Sequence, residues 1–179
     1  MKSHDVVIIG ILLAIGAILR YFLAMLNTPL TPNMIIAFYC LAIILFKPRL
    51  YEALGIGIVA GVLSMLISGS VFPPANLISE PAGAYTCLLV YEVLRNKENL
   101  APLITTWIAT LVSGFIFAGI ATLFIGATIL AMYHSSFLAF VAAYLPIVII
   151  TAVLNAVIVQ LLYVPLHRRI QREWNDNVE

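Results

Sequence analysis

Six long apolar runs, rich in Leu, Ile and Ala and separated by short polar stretches, leave this chain few folds to choose from. A helix that crosses the bilayer needs roughly 17–25 predominantly apolar residues. Runs of this kind lie near 6–26, 32–46, 50–70, 81–95, 102–131 and 135–166. The second and fourth are short, and the last two are long enough to tilt. Strand alternation is absent, and lipid leaves an open chain only the helix, because every backbone polar group must be satisfied internally. Of the 179 residues, 63% are hydrophobic and 9% charged, with a mean hydropathy of +1.10. A soluble domain is about a quarter charged, so lipid must be the solvent. The expectation is an all-α integral membrane protein, a single six-helix domain over residues 1–179 with no soluble domain.

The first run resembles a signal peptide in having Lys2 ahead of an apolar stretch. It continues for about 20 residues, carries Arg20 and lacks a small-x-small cleavage pattern, so it reads as an uncleaved first span. Basic residues set the orientation. Lys2, Lys47, Arg49, Arg95, Lys97, Arg168, Arg169 and Arg172 all fall on one side of a six-span arrangement, and the loops "NTPLT", "VFPPANLISE" and "MYHSS" on the other carry none. Both termini are therefore expected in the cytoplasm. Cys40 and Cys87 fall inside apolar runs and read as small core residues rather than a disulfide.

The outer face is where chemistry would sit. Helices two, four and six begin there, so their free N–H groups and positive dipole ends converge. Thr31-Pro32 and Ser79-Glu80-Pro81 read as caps with proline at the first helical position. Short spans entered from such loops leave a recess suited to a carboxylate, unless these are ordinary caps. Arg20 lies inside helix one, ~9 Å from its outer end, where a guanidinium costs up to about 2.5–3.5 kcal/mol. Two readings fit it: snorkelling to headgroups, or a fork-shaped donor for a ligand carboxylate. Glu80, the one acidic residue of the outer loops, fits a cap, a partner for Arg20 or a receiver of a ligand amine. Asn33 and Asn76 are further candidate contacts, the latter stiffened by the preceding prolines. Tyr85 and Tyr144, one to two turns inside their helices, read as pocket walls, whereas Tyr133 and Trp107 read as interfacial belt. Asn155 and Gln160 in helix six need interhelical hydrogen bonds.

Small residues mark close helix approaches: Ala53, Gly57, Gly61, Ser64 and Ser68 on helix three, and Gly10, Ala14 and Ala17 on helix one. Their neighbours lie either within the chain or in another subunit. Metalloprotease, P-loop and nucleophile-elbow motifs are missing, as is any Cys/His cluster with metal spacing. An enzyme is not expected, nor a resident metal or cofactor, nor nucleic-acid binding. Any ATP-driven function must draw on a partner.

The stretches "LLAIGAIL", "TPNMIIAFYCLAIILFKPRL" and "GIVAGVLSMLISGSVFPPANLISEPAGAY", with the proline-led P-A-N-x-I-x-E-P loop, carry a resemblance. The chain is similar to the S components of energy-coupling-factor (ECF) transporters, and more closely to the tryptophan-transporter family of S-component-like proteins. The likeness covers about half the chain well; helices five and six match in hydropathy and length alone. It implies a substrate-binding subunit of a prokaryotic cell membrane that docks on a transmembrane T component and two ATPases. It implies uptake of a small molecule, tryptophan first. Gly10, Ala14 and Ala17 would match the docking motif, with Gly10 standing where the family usually has alanine. "MKSHDVV" does not resemble the histidine segment of cobalt and nickel members, which argues against a metal cargo. Arg20 and the outer helix ends would take the tryptophan carboxylate, Glu80 the ammonium, and Tyr85 with Tyr144 the indole, with Asn33 and Asn76 beside them. Two alternatives remain: a vitamin or precursor (thiamin, a pyrimidine, pantothenate) as cargo, or a ligand-free assembly subunit.

Overall fold

The computed structural model describes residues 1–25, 32–67, 69–97, 100–132 and 137–176, with backbone alone at 129, 130, 132, 137–141 and 168–176. The described residues form six helices and a single 3-10 turn: α1 (Ser3–Ala24), α2 (Ile35–Phe46), α3 (Leu50–Ile67), the turn Pro73–Ala75, α4 (Asn76–Leu94), α5 (Ala101–Met132) and α6 (Phe137–Asp176). The loops expected at 27–31 and 133–136 lie outside the described residues, and with them Thr31 and Tyr133; so do Ser68 and the side chains of Arg168, Arg169 and Arg172.

The helices divide by what surrounds them. Four are long and apolar enough to cross a membrane: Ser3–Ala24, Leu50–Ile67, Ala101–Thr128 and Ala142–His167. α2 is different. Its 12 residues rise only about 18 Å, yet Ile35 to Ile44 are all buried. A helix apolar on every side belongs in a protein interior, and α2 touches each of the other five. It is the axis of the bundle, so its ends need not match the bilayer thickness. Lys47 closes it in the left-handed conformation (φ 44°), its N–H donating to the Ile43 carbonyl, and Pro48 follows. Gly16 of α1 lies against α2, where an added Cβ would come within 3.1 Å of the Ile35 Cα. Cys40 and Cys87 are buried free thiols, as expected, with the Cys87 Sγ 3.9 Å from the Cys40 carbonyl.

α4 corrects the sequence reading. The expected start at Pro81, capped by Ser79 and Glu80, gives way to a start at Asn76. The Pro73–Ala75 turn preforms the helical direction, so α4 begins five residues earlier and Pro81 falls inside it. Pro32 likewise precedes α2 rather than opening it; the Ile35 N–H is capped instead by the Asn33 Oδ1 at 3.2 Å. Glu80 is thus no cap: it projects from the second turn of α4 on its buried face and is 1% exposed.

The small-residue stripe on α3 finds its neighbour within the chain. A Cβ on Gly57 would lie 2.6 Å from the Pro81 Cα, and one on Gly61 would lie 2.8 Å from the Asn76 carbonyl oxygen. Only glycine lets the first half of α4 come this close. At the opposite end, the N-terminal ammonium meets Glu52 at 2.7 Å, setting the start of α1 beside the start of α3.

Candidate functional site

Late α1, late α3, the start of α2 and early α4 meet at one end of the bundle. Arg20 is turned inward and is 2% exposed. Its Nη1 donates to the Ser64 Oγ on α3 at 2.8 Å, and its Nη2 to the Asn76 Oδ1 on α4 at 3.4 Å. The Asn76 amide is oriented in turn by donating its Nδ2 to the Pro73 carbonyl at 2.7 Å. The proline pair therefore has a structural role, since its rigid turn offers the carbonyl that aims Asn76 at the guanidinium. Arg20 is held by side chains inside the protein, which rules out snorkelling to headgroups.

Glu80 faces the same space from α4. Asn33 donates its Nδ2 to one carboxylate oxygen, Oε1, and the hydroxyl groups of Tyr39 and Ser113 flank the group. The other oxygen, Oε2, is buried without a hydrogen bond among the described residues. Taking a carboxylate or a guanidinium out of water costs several kcal/mol, so two such groups around one space demand a compensating purpose.

That space is a recess, partly open at its mouth, with about 500 Å³ of atom-free volume when the open space at the mouth is included. One wall is polar: Arg20, Asn33, Asn76 and Glu80. α5 and α6 add Phe117, Tyr144, Ile147 and Val148, with the hydroxyl groups of Thr110, Ser113 and Thr151 among them. Phe117 and Tyr144 lie nearly parallel, with ring centroids 6.2 Å apart, and the Tyr144 hydroxyl donates to the Gly114 carbonyl at 3.2 Å.

Five residues expected at the site from the sequence come together here: Arg20, Asn33, Asn76, Glu80 and Tyr144. Tyr85 does not; it is 40% exposed on the outer side of α4, away from the recess. The sequence marks Ser64 for packing alone and does not single out Thr110, Ser113 or Phe117 as site residues. The last three recur on one face of α5 at spacings of three and four, which is the available signal. Gly10 and Ala14 are exposed on α1, with nothing near the position of a Gly10 Cβ, while Ala17 packs half-buried against the core. Among the described residues no group of His, Cys, Asp and Glu could hold a metal ion.

Comparison with known proteins shows the family. The family described as "Tryptophan transporter TrpP" matches residues 2–171. The chain is 31% identical over 176 residues to the "Probable tryptophan transport protein" of Bacillus subtilis (strain 168), covering 96% of this chain and 95% of that one. No solved structure matches. A multi-pass helical bundle with a buried polar recess, matched along nearly its whole length, thus belongs to the tryptophan transporter TrpP family.

Proposed function

We propose that this chain is the substrate-binding membrane subunit of a tryptophan uptake system and that the recess is its binding site. One observation carries the reading: a buried cation and a buried anion, Arg20 and Glu80, line the same recess as the aromatic and aliphatic residues Phe117, Tyr144, Ile147 and Val148. Tryptophan is complementary in each part. Arg20, steadied by Ser64 and Asn76, takes the carboxylate as a charge-assisted donor. Glu80, with Oε2 uncommitted, takes the ammonium. Phe117 and Tyr144 with the aliphatic residues between them receive the indole. Supplying these contacts gives each buried charge an opposite charge on the ligand, beside the partners it already has within the protein.

Transport then requires the loaded recess to open to the cytoplasm, and the resemblance to ECF S components suggests how. A T component and two ATPases would reorient the subunit, docking on α1 at Gly10, Ala14 and Ala17. The open flank at Gly10 and Ala14 is compatible with such a partner.

The test is tryptophan binding to the detergent-purified chain by calorimetry. Saturable binding is expected, with at least about a tenfold loss in Arg20→Ala, the scale of one charge-assisted hydrogen bond. Unchanged affinity in a folded Arg20→Ala sample would remove the recess from consideration. Uptake into vesicles that depends on co-produced T component, ATPases and ATP is expected for the energy source; uptake by the chain alone would contradict that part.

A further inference from the structure

We propose that Asn155 of α6, which lies outside the recess, is a positioning residue that makes Glu80 able to read the substrate's ammonium. This rests on the reading of Glu80 given above.

Asn155 is fully buried at the middle of α6. Its Nδ2 donates to the Asn33 backbone carbonyl at 3.0 Å and to the Thr110 Oγ1 at 3.4 Å. Both partners are acceptors. A carbonyl has no proton, and the Thr110 hydroxyl has committed its own to the Thr106 carbonyl at 2.8 Å. The amide of Asn155 must therefore present its NH₂ group and spend both protons. Its first bond holds the short segment ahead of α2, where Asn33 caps the helix through Oδ1 and gives its Nδ2 to Glu80 Oε1. The donors run in one direction, from α6 through the α2 cap to α4. The consequence falls on the carboxylate: Oε1 is fixed by Asn33, and Oε2 makes no hydrogen bond among the described residues, although the Tyr39 and Ser113 hydroxyls lie beside the group. Without the anchor at the Asn33 carbonyl the Asn33 amide loses its placement, and Glu80 is free to rotate either oxygen toward Tyr39, Ser113 or Arg20. An interhelical hydrogen bond is a common feature of membrane bundles; here it is aimed at the single segment that orients the recess carboxylate.

A double-mutant cycle separates a positioning role from mere helix packing. Tryptophan affinity is measured by calorimetry on the purified full chain in four forms: native, Asn155→Asp, Glu80→Gln and the double variant. Asn155→Asp keeps the shape of the side chain and removes at least one of the two donated hydrogen bonds, since a buried carboxyl carries at most one proton. The expected result is a loss of about tenfold in the native background and less than about twofold in Glu80→Gln, which binds more weakly at the outset. Asn155→Ala is expected to lose about threefold with the same dependence on Glu80. Equal losses in both backgrounds would make Asn155 a packing contact and overturn the proposal. So would failure of both Asn155 variants to fold, since the residue would then be structural. A native chain that does not bind tryptophan would sink the functional reading and this inference with it. Binding that is sensitive to Glu80→Gln but indifferent to Asn155→Asp would sink this inference alone.

Discussion

Two stretches of this molecule carry the same small-xxx-small pattern and meet opposite fates. Gly57 and Gly61 on α3 are filled from outside by the backbone of α4, which approaches so closely that a methyl group at either position would strike Pro81 or the Asn76 carbonyl. Gly10 and Ala14 on α1 face open space. The difference teaches that the motif licenses a close approach without naming who approaches. What decides it is the next element in the chain. The turn at Pro73–Ala75 folds α4 directly back along α3, and the glycines let it settle deeply enough for Asn76 to reach Arg20 and for Glu80 to reach the recess. The stripe on α1 has no such successor, because its inner face, through Gly16, is already given to α2.

Substitutions sharpen this contrast. The largest effect is expected from Gly57→Leu, which would force α3 and α4 apart at Pro81; overpacking of this kind costs about 1–3 kcal/mol or more. Loss of tryptophan binding and a clearly lowered melting temperature in detergent would be the signs, and a native-like protein would break the comparison. Next comes Ser64→Ala on the same stripe. It removes the acceptor of Arg20 Nη1, and a hydrogen bond to a charged group is worth about 1.5–3 kcal/mol. The melting temperature in detergent should fall, and calorimetry should show weaker affinity because the guanidinium loses one of the bonds that place it. Tyr85→Ala should change affinity less than about twofold, within the usual ±0.5 kcal/mol of exposed positions; a larger loss would return Tyr85 to the site. Smallest on binding is Gly10→Leu, expected to leave affinity and melting unaltered while reducing uptake in cells. Equal uptake in the variant and the native chain would remove α1 as a docking face.

How much of this is legible in the sequence varies with the kind of signal. The apolar runs mark the helices well because hydropathy over about 20 residues is a strong cue. The start of α4 is misread for a local reason. Proline is at home at the first helical position, so Pro81 looks like a beginning, while Pro73 and Pro74 have already turned the chain into the helix. That shift explains Tyr85. The buried face of α4 runs through Asn76, Glu80, Gly83, Ala84 and Cys87, and Tyr85 stands five residues past Glu80, about 140° round the helix.

Charged and amide side chains in the hydrocarbon are readable as site residues because burial is costly unless they are used. Arg20 stands out this way, whereas Glu80 and Asn76 stand out as polar groups of an otherwise uncharged outer loop. Phe117 does not, since a phenylalanine in an apolar helix has no cost to betray it. Nor can the sequence say that Ser64, one small residue among five on its stripe, is the one to hold the guanidinium. Such pairings depend on which helix lies opposite, and that is fixed by the α3–α4 seam.

The central claim is that the recess reads both ends of a zwitterion and an indole at once. The most direct measurement compares the binding of tryptophan, tryptamine and indole-3-propionate to the purified native chain by calorimetry. Tryptophan should bind tightest, and removal of either the carboxylate or the ammonium should weaken binding by at least about tenfold, as each would remove one charge-assisted contact. Equal affinity for all three would contradict the account, because Arg20 and Glu80 would then have no part in recognition.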